Sequence, residues 1–83
     1  MKTKIQYNRI KEELKAQQRS NAWLHRMTIE KKSKISENTI GKYCRNETQP
    51  TLEVLAVIAD ILKVNAKELL VFPPKKINKS KKE

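Results

Sequence analysis

Scarcity marks this 83-residue chain: one cysteine, one glycine, three prolines, and aromatic residues at only 5%. A single cysteine, Cys44, excludes an intramolecular disulfide framework and any cysteine-rich zinc site, and makes a reducing cytoplasm the expected home. The lone glycine, Gly41, together with a paucity of Thr/Val alternation, argues against sheet, which needs turn glycines and β-branched runs. No apolar run approaches the roughly 18 residues of a membrane span, and the N-terminus lacks a signal peptide's apolar region. His25 is the only histidine, so no His-based metal site or pH cluster is expected. There is no Ser/His/Asp grouping of plausible spacing, no Gly-rich phosphate loop and no acid pair flanked by structure. The expectation is a protein that is not an enzyme, with no cofactor, no membrane partner and no small-molecule substrate.

What the chain has in excess is positive charge. Nineteen Lys and Arg stand against nine Asp and Glu, a net charge of +10, which points to a polyanionic partner, nucleic acid before anionic membrane. The charge is unevenly placed. Residues 73–83 hold five lysines against Glu83. Residues 51–72 hold Lys63 and Lys67 against Glu53, Asp60 and Glu68, so positive charge avoids that part of the core and gathers around residues 9–45 and in the tail.

A chain of this length makes one domain and buries only about 60% of its unfolded surface. Residues 1–7 read as a loose N-terminal arm. Asn8 can cap a first helix with Ile10 and Leu14 on its dry side, and Ser20 caps a second beginning Asn21-Ala22-Trp23-Leu24. Trp23 reads as a partly buried core residue. Beyond Leu24 two structures fit: a helix extended by about a turn, or a stop near Thr28 followed by a basic loop. The lack of any Gly or Pro there favours the extension. Ser36 caps a third helix in which Ile40, Tyr43 and Cys44 recur at helical spacing, leaving Lys42 and Arg45 on the other face. Asn46, tolerant of the left-handed conformation, ends it. Cys44 reads as a buried structural thiol. Thr51 opens a fourth helix, apolar nearly all round and therefore central. Asn65 caps a short fifth, Ala66 to Val71, with Leu69 and Leu70 turned inward and Pro73-Pro74 ending it. Residues 73–83 read as a basic, disordered tail. The expected fold is all-α: a compact five-helix domain over residues 8–72.

From Asn8 to Leu70 this pattern resembles the lambda-repressor/Cro-like helix-turn-helix family, also called XRE-type regulators. The residues that carry the likeness are N8-R9-I10-K11, S20-N21-A22-W23-L24, I35-S36-E37-N38-T39-I40 with K42-Y43-C44, Q49-P50-T51-L52-E53, I58-A59-D60-I61-L62-K63-V64 and N65-A66-K67-E68-L69-L70. One departure stands out. Eleven residues separate Leu24 from Ser36, about five more than the family usually has, so the connection between helices 2 and 3 is enlarged and carries Lys31, Lys32 and Lys34.

The resemblance implies double-stranded DNA as partner, with the start of helix 3 meeting base edges in the major groove. By position, the base-reading residues are Glu37, Asn38 and Lys42. Asn pairs with adenine N6 and N7, Lys with guanine O6 or N7, and Glu accepts from cytosine N4. Backbone contacts fall to Arg19, Arg26, Lys31, Lys32, Lys34, Ser36, Thr39 and Arg45. Gly41 is open to two readings: close approach of the helix to DNA or to helix 2, or a tolerated small residue. A homodimer on a pseudo-palindrome is implied, with Leu69, Val71 and Phe72 as its interface. The competing function is an adaptor in which the enlarged connection tilts helix 3, leaving protein or RNA binding and only nonspecific attraction to DNA.

Overall fold

The computed structural model describes residues 3–78. In chain order these form strand β1 (Thr3–Asn8), helices α1 (Ile10–Ala16), α2 (Asn21–Glu30), α3 (Glu37–Cys44) and α4 (Leu52–Leu62), one 3-10 turn (Ala66–Leu69) and strand β2 (Leu70–Asn78). Three of the helix starts follow from local chemistry. The hydroxyls of Ser20, Ser36 and Thr51 accept from the backbone N–H of Trp23, Thr39 and Val54 at 3.0, 3.0 and 3.1 Å, each satisfying one of the orphan donors of a first turn.

The helix ends are more unusual. Gln18, Lys32, Asn46 and Lys63 all lie in the left-handed region, at φ of 58, 61, 59 and 61°. Each closes the same motif, in which the next residue's N–H returns to a carbonyl five residues back: Arg19 to Leu14, Ser33 to Thr28, Glu47 to Lys42, Val64 to Ala59. This six-to-one bond usually recruits glycine, yet none of the four positions holds one, and only Asn46 is a residue type that favours the conformation. The lone glycine sits inside α3 instead.

Leu24, Ile40, Ile58 and Leu69 are wholly buried between the helices, with Ile10, Leu14 and Leu62 beside them. Each such side chain contributes about 1.5–3 kcal/mol when fully withdrawn from water. Trp23 is partly buried against this core. The α2 helix ends at Glu30, two residues beyond Thr28, and a non-helical basic connection over residues 31–36 follows it, an outcome between the two readings. The connection after it is fastened at two points: Ile35 is buried, and Lys31 Nζ reaches Asp60 Oδ2 on α4 at 2.6 Å. Lys31 donates a hydrogen bond and adds its charge, holding the Asp60 carboxyl below its ordinary pKa. The α4 helix is central but not dry all round, since Leu52 remains 83% exposed at its first turn.

Two features correct the all-α, five-helix expectation. The fifth helix is a single 3-10 turn whose preceding Asn65 makes no side-chain cap bond, and the chain extends immediately after it, at Leu70. The segments on either side of the helical core, read as arm and tail, instead pair as an antiparallel two-stranded sheet. Its register sets Thr3 against Asn78, Lys4 against Ile77, Ile5 against Lys76 and Gln6 against Lys75, then slips to Asn8 against Leu70. Residues 71–74 therefore bulge opposite Tyr7. The Phe72–Pro73 peptide is cis. The bulge explains how Pro73 and Pro74 sit within a strand: a bulged position makes no demand for the N–H that proline lacks. The disordered-tail reading of residues 79–83 lies outside the described residues.

Candidate nucleic-acid interface

The α3 helix divides sharply into two faces. Ile40, Gly41, Tyr43 and Cys44 are buried, while Glu37, Asn38 and Arg45 are exposed and Lys42 is half-buried. Asn38, Lys42 and Arg45 fall at i, i+4 and i+7, one stripe along the outer side of the helix. Ser36 and Thr39 frame its start: besides the cap bond, their hydroxyls share a hydrogen bond at 2.9 Å. Glu37 and Asn38 make no side-chain hydrogen bond or ion pair among the described residues, so their polar atoms are available outward.

The candidate cations separate into two groups. Arg26, Lys32 and Lys34 are exposed and unpaired among the described residues. Arg19 and Lys31 are engaged within the fold: the Arg19 guanidinium lies 4.5 Å from the centre of the Trp23 ring, and Lys31 is held by Asp60. Arg45 is also committed, its Nε donating to Glu47 Oε2 at 2.7 Å. The first of these could have been found in the sequence, because Arg19 and Trp23 stand four apart across a helix start. The Lys31–Asp60 pair, 29 residues apart, could not.

Close approach to α2 does not account for Gly41. A Cβ there would meet only the Arg45 guanidinium, at 3.2 Å, the far end of a long side chain. Cys44 is buried, its Sγ–H directed at Asn21 Oδ1 at 3.4 Å. Burial pushes its thiol pKa up, more than the nearby Lys11 and Arg45 charges pull it down, the environment of an inert structural cysteine.

The interface residues expected at the C-terminal end are placed very differently from one another. Leu69 is wholly buried and Val71 nearly so, both within the fold of the single chain, whereas Phe72 is 90% exposed at the bulge. Tyr7 and Leu70, also on the sheet, expose 43% and 41% of their surface.

What sequence reasoning missed lies at the other end of α3. Asn8 is buried. Its Nδ2 donates to the Tyr43 carbonyl at 3.0 Å and to Gln49 Oε1 at 2.8 Å, and its Oδ1 accepts from Ile10 N at 3.0 Å. Asn46 Oδ1 in turn accepts the Tyr7 and Asn8 amides at 2.8 and 3.1 Å. Of this network only the left-handed Asn46 and the role of Asn8 at the start of α1 carried a local signal.

Among the described residues no group of three or more His, Cys, Asp or Glu is placed to hold a metal ion, and no helix is long and apolar enough to cross a membrane.

Comparison with known proteins identifies the family. No curated protein matches the chain. A crystal structure of a Bacteroides fragilis protein described as DNA-binding superposes with a TM-score of 0.65 at 36% identity, covering 84% of this chain and 100% of that one. The model of the Cro/C1-type helix-turn-helix DNA-binding domain matches residues 9–75, from the start of α1 into β2. The chain belongs to the Cro/C1-type helix-turn-helix DNA-binding family.

Proposed function

We propose that the protein is a sequence-specific transcriptional regulator, a small repressor that reads the major groove of double-stranded DNA with α3. The observation that carries this reading is the open first turn of α3. Glu37 and Asn38 stand exposed and uncommitted beyond a capped start, with Lys42 one turn further on. The major groove, roughly 12 Å wide, admits such a helix. Arg26, Lys32, Lys34, Ser36 and Thr39 supply backbone contacts. Arg45 joins them by exchanging Glu47 for phosphate, and Arg19 and Lys31 contribute less, being held by Trp23 and Asp60.

The protein acts as a homodimer on half-sites about 34 Å apart. Of the interface residues considered, Phe72 is the anchor, supported by Tyr7 and Leu70 rather than by the buried Leu69 and Val71. The adaptor reading required the enlarged connection to tilt α3 or cover its start. Ile35 and Lys31 fasten that connection to the core and to α4, and the first turn of α3 is exposed.

The test is a binding titration at about 0.15 M salt with excess nonspecific competitor. One labelled duplex carries the region upstream of the protein's own gene, and the other a shuffled copy. A preference of about a thousandfold supports operator reading. Equal, salt-fragile binding to operator candidates selected from a random pool and to the shuffled duplex would sink it.

A further inference from the structure

We propose that Asn46, closed into a ring with Asn8 and Gln49, is a positioning residue that fixes the attitude of α3 by clamping its C-terminal end to β1. The inference rests on α3 being the reading helix. The ring closes in one sense. Asn8 Nδ2 donates to Gln49 Oε1 at 2.8 Å, Gln49 Nε2 donates to Asn46 Oδ1 at 3.3 Å, and Asn46 Nδ2 donates to the Asn8 carbonyl at 3.3 Å. The same Asn46 oxygen takes the backbone amides of Tyr7 and Asn8. Rotating the Asn46 amide by half a turn would set its NH2 against those two N–H groups, donor against donor, so the oxygen's direction is fixed by its surroundings.

Position 46 therefore meets two demands at once. Its φ of 59° suits asparagine or glycine, and it must present an acceptor to a strand 38 residues away in sequence. Asparagine alone meets both without charge. The Asn8 end is equally constrained, being buried and bonded to the Tyr43 carbonyl within α3 itself. The helix is thus gripped at Tyr43 and at Asn46 by one strand, while its first turn is free. A change in the strand's seating must tilt the helix, and a reading helix that tilts loses base contacts before it loses backbone attraction.

The experiment uses the full chain and Asn46→Gly. Glycine keeps the left-handed stop and the bonds that Asn46 N and Glu47 N make to Tyr43 and Lys42, while every Asn46 side-chain bond is removed and only the Asn8–Tyr43 bond is left to hold the strand to α3. Three quantities are read: amide exchange at Tyr7 and Asn8, residual dipolar couplings of α3 relative to α4, and the ratio of operator to shuffled-duplex affinity. The expected result is exchange faster by about tenfold or more at both amides and shifted couplings confined to α3. The affinity ratio should fall about tenfold, the scale of one imperfect base contact, with nonspecific affinity and salt slope unchanged. Asn46→Asp, which keeps the acceptor, should retain protection of both amides and the ratio while binding all duplexes more weakly. Unchanged exchange in Asn46→Gly would overturn the clamp. Faster exchange with unchanged couplings would overturn its hold on the helix. If the parent protein prefers no duplex over its shuffled copy, base reading by α3 falls, and the exchange and couplings still decide the clamp.

Discussion

At its N-terminal end α3 offers Glu37 and Asn38 to solvent with no side-chain bond among the described residues. At its C-terminal end the Asn46 side chain alone takes part in four hydrogen bonds, to Tyr7, Asn8 and Gln49. One eight-residue helix thus carries a free end and a fastened end. A side chain available for recognition has no intramolecular partner to lose, so removing it leaves the fold alone. A side chain used for fastening is worth what its loss leaves unpaired. Substitutions at the two ends should separate cleanly, and each of the following variants either breaks or sharpens that separation.

The largest effect is expected at the fastened end. Asn8→Ala strands the Ile10 amide and removes a donor from the Tyr43 carbonyl, both buried bonds. Urea unfolding should show a loss of about 2–3 kcal/mol, and a loss below about 0.5 kcal/mol would mean that water replaces the side chain without penalty. At the free end Asn38→Ala should relax discrimination at one base pair by about 1–3 kcal/mol with unfolding unchanged to within about 0.5 kcal/mol. Unaltered base preference in a binding-site selection would remove Asn38 from the reading surface. Between the ends, Gly41→Ala should stabilise by up to about 1 kcal/mol, because the helix gains propensity and only the far end of the Arg45 side chain, bonded to Glu47, must move by a few tenths of an ångström. A lower melting temperature would show that Arg45 cannot yield.

The smallest effect concerns the connection that precedes the free end. Lys31→Met should flatten the salt dependence of DNA binding by less than one full phosphate contact, since Lys31 is paired with Asp60. Lys34→Met should flatten the slope by about 0.9. Equal flattening by both would return Lys31 to the backbone contacts. The pair also sets a pH dependence. Asp60 is held below its ordinary pKa by Lys31, so its contribution is present above about pH 4 and fades as pH falls through the lowered value. In Lys31→Met this acid-side loss should be smaller, as read by thermal melts across pH 2 to 5.

The same division runs through what the sequence revealed. Ser20, Ser36 and Thr51 declare helix starts because each cap is a bond to a residue three along the chain. The outer placement of Lys42 and Arg45 was legible for the same reason, helical spacing being local, whereas Asn38 was singled out by the family resemblance. Gln18, Lys32 and Lys63 gave no sign of ending helices, since the left-handed stop is imposed by the six-to-one bond and tolerated by side chains that do not favour it. The sheet was hidden more deeply. Thr3–Asn8 and Leu70–Asn78 lie at opposite ends of the chain, and β2 includes two prolines. Their strand character comes from each other and from the Asn8–Asn46 contacts, across 38 residues of sequence.

The pairing of Thr3 with Asn78 brings the two ends of the described chain side by side. Joining them through a tight two-residue turn such as Asn-Gly would convert the pair into a continuous hairpin. New termini could then be opened at the exposed turn around Gln18 and Arg19, between α1 and α2. Such a circular permutant would carry the same α3 with the order of its elements rearranged.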